Sequence, residues 1–315
     1  MSKYRKIFQL IFVFAALSGT NQVNAEKKIV VDKNGNGNFT SLQEAINSVR
    51  AFDPAEPTTI FVKNGTYYEK IVISEHTCNV KIEGEDKDKT IISYNDHAKI
   101  NNMGTFRTYT IQVRGNDITL ENLTIENNAE RLGQAVALHS EGDRITVKNC
   151  KLLGNQDTFY AAGENRRIYL ENTYIEGTTD FIFGGATVWF ENCEIFCKTN
   201  SYITAASTAQ QVKYGFVFNN CKIALADSVD AMYLGRPWRA YAMTVFMNCY
   251  LPKGIRPEGW HNWDNKENEK TARFAEYNNR GEGSSTTQRV KWVKMLTKKE
   301  NRKITRENVL LDFAP

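Results

Sequence analysis

Two aspartates, Asp157 and Asp180, stand 180 − 157 = 23 residues apart in the phrases "GNQDTFY" and "TTDFIFGG". Each is an acid set among apolar and small residues. Asp is a poor strand former and costly to desolvate, so each needs a turn, a bound cation or chemistry to account for it. Gln134, in "GQAVAL", lies 157 − 134 = 23 residues before Asp157. The three side chains therefore form a row if one repeat of the chain takes about that many residues, with neighbours roughly 4.8 Å apart on stacked strands. Two carboxyls so close in a partly buried groove do not ionise together: one becomes an acid while the other stays a carboxylate, the outline of a catalytic pair. Turn capping and calcium binding are the competing uses of the same residues. The stretch "YLGRPWRAYA" supplies a cation. Arg236, fixed between Gly235 and Pro237, is suited to hold one carboxylate ionised through a bidentate hydrogen bond, and Trp238 beside it can stack on a sugar ring.

Such a row requires a scaffold that repeats, and the sequence contains one. The phrases "VKNCKL", "FENCEI", "FNNCKI" and "FMNCYL" share an asparagine and a cysteine, and "LENLTI" and "LENTYI" repeat the pattern without the cysteine. The marker asparagines are Asn122, Asn149, Asn172, Asn192, Asn220 and Asn248. Their irregular spacing in the twenties, around a fixed phrase, is the mark of a solenoid whose loops vary in length. Alternating polar and apolar positions rich in Val, Ile, Phe and Tyr make each phrase a strand, and short strands with no helices between them imply an all-β parallel β-helix. In that architecture the residues at the "NC" position stack inside successive rungs as buried free thiols, with disulfides as the alternative. Zinc is disfavoured: only Cys193 and Cys197 are closely spaced, and no His pair accompanies them. At the front, Ser41 with Glu44 three residues on reads as a capping box opening a short helix that covers the end of the core. The tail from Thr305 reads as a second short helix.

The first 25 residues have the form of an export signal: Lys3, Arg5 and Lys6, an apolar run from Ile7 to Leu17, then Val23-Asn24-Ala25. The run is too short to span a bilayer, so a soluble chain of residues 26–315, forming one domain in the periplasm or outside the cell, is expected. Without the three basic residues, Lys+Arg falls from 40 to 37 against 36 Asp+Glu, a net charge of +1 rather than +4. That balance gives no support to a nucleic-acid partner, and an acidic ligand has to be read from a local site. A monomer is expected.

Taken together and in this order, "GQAVAL", "GNQDTFY", "DFIFG" and "LGRPW" resemble the signature blocks of the pectin methylesterases, or pectinesterases. The resemblance runs from "GNGNFTSLQEAI" and "NGTYYEK" through "TFRTYT" to "PEGWHNW" and "AEYNNRGEG", nearly all of the chain after the signal. It implies a right-handed parallel β-helix and hydrolysis of the C6 methyl esters of galacturonate in pectin, with neither metal nor cofactor. Carried over by motif, Asp180 is the nucleophile, Asp157 the general acid and then base, and Arg236 the residue that orients Asp180. Gln134 and Gln156 stabilise the oxyanion. Trp238 and Thr105 match substrate-contacting positions, and Tyr160 and Phe181, in the same blocks, are expected to line the groove, with burial as the alternative. Phe159 stands where the family commonly has leucine. A lyase would call for a calcium-binding acidic cluster, and an inverting hydrolase for carboxyls about 6.5–9.5 Å apart. The two glutamines favour an oxyanion over either, and no G-x-S-x-G elbow marks a serine esterase.

Overall fold

A computed structural model describes residues 27–315. The expected export signal, residues 1–25, lies outside the described residues. Within them the strands form three parallel sheets, one of eleven strands and two of seven, which the chain visits in turn. Each circuit of three strands makes one rung of a parallel β-helix, as the repeated phrases predict.

The marker asparagines explain the repeat. Asn122, Asn149, Asn172, Asn192, Asn220 and Asn248 all have φ between 49° and 58°, the left-handed region that Asn tolerates better than other side-chain-bearing residues. The first five sit at the corner between a strand of the large sheet and one of a smaller sheet, and Asn248 follows the large-sheet strand Met243–Met247; Asn172, for example, separates Arg167–Glu171 from Tyr174–Gly177. The left-handed corner turns the following side chain inward, so Leu123, Cys150, Thr173, Cys193, Cys221 and Cys249 are all buried. All six cysteines are free; Cys78 alone is half-buried. The thiols of Cys150, Cys193, Cys221 and Cys249 each donate to the carbonyl two residues back, at 3.3–3.5 Å, and the hydroxyl of Thr173 does the same at 3.0 Å. A small donor at this position thus satisfies the corner from inside.

The core is stacked in register. Phe190 pairs with Phe218 and Phe218 with Phe246 on adjacent strands, and the rings stack at 4.1 and 4.3 Å between centroids with planes 5° and 2° apart. At the front, the helix Leu42–Asn47 buries Leu42, Ala45 and Ile46 against the first strands. Ser41 caps it by accepting from the Glu44 amide, but the expected return bond from Glu44 is replaced. The carboxylate of Glu69 accepts from the amides of Leu42 and Gln43 and from the Ser41 hydroxyl, at 2.7–3.0 Å. A carboxylate from a neighbouring rung gives the same compensation at the helix start and ties the cap to the solenoid. At the back, Arg306–Leu310 is helical with Thr305 as its cap and buries Val309 and Leu310.

Asn172 is exposed, so its corner can be tested without disturbing the core. Asn172→Val is expected to destabilise the protein by about 1–2 kcal/mol, the cost of a left-handed L-residue, while Asn172→Gly stays near the parent. Thermal denaturation of the two variants beside the parent protein measures the difference.

Candidate active site

The site grows from one of the seven-stranded sheets, in which Phe159–Ala161, Ile182–Gly184, Tyr202–Ala206 and Tyr233–Pro237 are successive neighbours. Phe159 pairs with Ile182. Asp157 and Asp180 each precede these residues by two, so the carboxylates are in register, one rung apart. Both take left-handed backbone, φ 68° and 49°, which aspartate tolerates through its short polar side chain. The Asp157 amide donates to the Thr179 carbonyl at 3.2 Å and the Asp180 amide to the Tyr202 carbonyl at 2.8 Å, so each corner is pinned to the rung above. An acid stands at these places because it fits the corner and can be presented at the sheet's outer face.

The row with Gln134 is different. Leu138 pairs with Phe159, an offset of 159 − 138 = 21 rather than 23, so the position equivalent to Asp157 is Val136. Gln134 stands two residues ahead of that position, so the equal spacing in the sequence does not reflect the register. Gln134 nevertheless reaches the site: the amide of Ala135 donates to the Gln156 carbonyl at 3.1 Å, holding the two glutamines together beside the carboxylates.

Arg236 sits on the strand two rungs above Asp180, paired with Ala205. Its Nε donates to Asp180 Oδ1 at 2.9 Å and its Nη2 to Oδ2 at 2.6 Å, a bidentate pair of which Asp157 has no share. Gly235 permits this approach, since a Cβ there would lie 2.0 Å from Thr204 Oγ1. The two acids are therefore buried alike but partnered unequally. Burial pushes the carboxyl of Asp157 well above the usual range, and the charge of Asp180 adds to the rise against a small opposing pull from Arg236. Burial also raises Asp180, but the hydrogen bonds and charge of Arg236 work against it. Of the two, Asp157 is the carboxyl pushed further up, and Asp180 is the one whose rise Arg236 opposes with hydrogen bonds as well as charge.

These residues line a groove of about 230 Å³, shared by Thr105, Gln134, Gln156, Asp157, Asp180, Arg236 and Trp238. All seven were expected at the site. Phe181 is not in it: the side chain is fully buried in the core. After the left-handed corner at Asp180 both Phe181 and Ile182 point inward, and Phe183 is the first to face out and line the groove. Tyr160 is half-buried and stacks on Phe183 at 4.6 Å, lining an adjoining hollow beyond Trp238. Phe159 is buried beneath it, an apolar core position that accepts phenylalanine or leucine alike.

The sequence profile of the Pectinesterase family matches residues 28–312. The chain belongs to the pectinesterase family. It is 37% identical over 281 residues to pectinesterase 31 of Arabidopsis thaliana, covering 86% of this chain and 88% of that protein. Some plant pectinesterases are longer; the chain spans 47% of pectinesterase 5 from the same plant. Among solved structures, the pectin methylesterase from carrot superposes with a TM-score of 0.85 at 28% identity, covering 90% of this chain and 92% of the other. A pectin methylesterase in complex with a hexasaccharide superposes at 0.81 with 29% identity, covering 92% and 99%.

Sequence reasoning missed four aromatic residues of this pectinesterase site: Phe106, Phe183 and Trp263 in the groove, and Tyr202 behind Arg236. Phe106 adjoins Thr105, Phe183 shares a block with Asp180, and Trp263 ends "GWHNW", so each stood beside a recognised residue. What the sequence lacked was the corner geometry that decides which side chain faces out.

The raised pKa of Asp157 carries a sign for stability. Below its unfolded value, near pH 4, the group is neutral in both states, and as pH rises toward the folded value its ionisation increasingly opposes folding. Asp157→Asn removes that opposition. The variant is expected to melt at a higher Tm than the parent at pH 8, with the gap closing by pH 3, as differential scanning calorimetry across that range will show.

Proposed function

We propose that the chain is one exported catalytic domain, residues 26–315 behind a signal of residues 1–25, that hydrolyses the C6 methyl esters of galacturonate in pectin. The observation that carries this reading is the asymmetry of the carboxylate pair: Arg236 grips Asp180 with two hydrogen bonds and leaves Asp157 as the buried acid. The substrate is methylated homogalacturonan met outside the cytoplasm, by a monomer.

In the proposed reaction an oxygen of ionised Asp180 attacks the ester carbonyl carbon. The carbonyl oxygen becomes an oxyanion, for which the side-chain amides of Gln134 and Gln156 are the available donors. The tetrahedral adduct collapses, the bond to the methoxy oxygen breaks, and Asp157 gives its proton to that oxygen so that methanol leaves. The acyl-enzyme is an anhydride between Asp180 and the sugar carboxyl. Asp157, now ionised, takes a proton from water as the water attacks the sugar's acyl carbon. The bond to Asp180 breaks, giving a free galacturonic acid that loses its proton to solvent, a regenerated Asp180 carboxylate and a protonated Asp157. Arg236 keeps Asp180 ionised and fixes which of its oxygens faces the ester. The aromatic side chains of Trp238, Phe183 and Phe106 offer apolar faces to the sugar rings and the methyl group.

Purified protein on highly methylated pectin is expected to release methanol without forming unsaturated or shortened chains. Asp180→Ala and Asp157→Ala are expected to abolish that release, and Gln156→Ala to lower kcat by roughly 10²–10³-fold, the usual loss for one oxyanion donor. Chain shortening without methanol would replace the esterase with a lyase or a glycoside hydrolase. The rate should follow a bell in pH, rising as Asp180 ionises and falling as Asp157 loses its proton. Because burial raises both groups, both limbs lie above the pH at which free carboxyls titrate.

A further inference from the structure

Arg236 is held on more than its hydrogen-bonding edge. The guanidinium carbon lies 3.7 Å from the centroid of the Trp263 ring and 3.9 Å from that of Tyr202, so aromatic rings pack against the cation. Tyr202 in turn stacks on Tyr233 at 5.3 Å with planes 11° apart, and the guanidinium of Arg256 lies 4.8 Å over Tyr233. The result is a column of Trp263, Arg236, Tyr202, Tyr233 and Arg256 that ends, through Arg236, on Asp180.

Two features show that the column is held in place by the fold. Trp263 has φ 59°, left-handed backbone that a bulky residue rarely adopts and that surrounding structure must enforce. The enforcement is visible: the Trp263 amide donates to His261 Nδ1 at 3.0 Å, Asn268 Nδ2 donates to the Asn262 carbonyl at 2.9 Å, and the His261 amide donates to the Gly235 carbonyl at 3.1 Å. The last bond ties the loop to the residue before Arg236. Tyr202, for its part, accepts the Asp180 amide through its own carbonyl at 2.8 Å, so one residue braces both members of the ion pair.

We propose that Tyr202 and Trp263 are positioning residues of the reaction, clamping the guanidinium of Arg236 so that its in-plane donors stay on Asp180. This rests on the reading of Asp180 as nucleophile. A guanidinium forms hydrogen bonds in its plane and is weakly hydrated above and below it, so rings stacked on it exclude water and restrict rotation without competing for its donors. Loosening the clamp lets Arg236 share its donors with water, and Asp180 then loses part of what opposes its protonation. The charged groups facing Asp180 are Asp157, from the rung below, and Arg236. His261 and Asp264 belong to the clamp loop, with the His261 ring 5.4 Å from that of Tyr202 and Asp264 exposed.

The test is the pH profile of methanol release from highly methylated pectin for the parent protein, Tyr202→Phe, Tyr202→Leu, Trp263→Leu and Asp180→Ala. Tyr202 lies outside the groove lining, so Tyr202→Leu should leave KM near the parent value while kcat falls about tenfold on the acid side and the acid limb moves to higher pH. Tyr202→Phe keeps the ring and should restore both. Trp263→Leu should move the same limb and also raise KM, since the indole lines the groove; being in a loop, it carries the measurement if Tyr202→Leu does not fold. An acid limb that stays in place in the folded leucine variants overturns the clamp, whatever activity remains. Failure of the parent to release methanol, or full release by Asp180→Ala, overturns instead the reading of the site on which the clamp rests.

Discussion

Everything at the site depends on parallel strands hydrogen-bonding in register from rung to rung. That constraint fixes the separation of any two residues occupying the same corner of successive rungs, and Asp157 and Asp180 occupy the same corner. Neither loop flexibility nor side-chain choice sets their spacing; the backbone ladder does. The scaffold therefore brings two acids one rung apart, and the remaining residues set how their surroundings differ.

The two acids differ in their partners rather than in burial, which is nearly equal. Arg236 arrives from two rungs away, past the small side chain of Ala205 and along a strand that only Gly235 allows so close to Thr204. A bidentate pair taken out of water needs its geometry held well to offset desolvation. The rings at Tyr202 and Trp263 meet that need from a strand and from a loop at once.

Much of this was legible in the sequence. The asparagine phrases identified the solenoid because a left-handed corner followed by an inward residue has a narrow residue choice, and "GNQDTFY", "DFIFG" and "LGRPW" named the chemistry. Three features escaped for physical reasons. Gln134 matched the 23-residue spacing although the register between these rungs is 21, so it stands two residues ahead of the position equivalent to Asp157. Phe181 was placed in the groove because simple alternation fails after a left-handed residue, and Phe183 takes that role. The capping partner of the first helix is Glu69, distant in sequence and near only once the rungs stack. Local rules read corners and strands well; they do not read which side chain a distant rung brings alongside.

The thiols inside the corners have a consequence for how the molecule comes apart. No disulfide ties one rung to another among the described residues, so beyond the backbone each rung is secured by non-covalent contacts with the neighbours on its two sides. Cohesion in such a column is transmitted along one dimension, and opening begins where a rung has a single neighbour. The acids lie in interior rungs, with two further strands of their sheet on one side and three on the other. Fraying at either end must cross those rungs before it reaches the chemistry, so the centre of the solenoid forms a kinetic refuge for the active site.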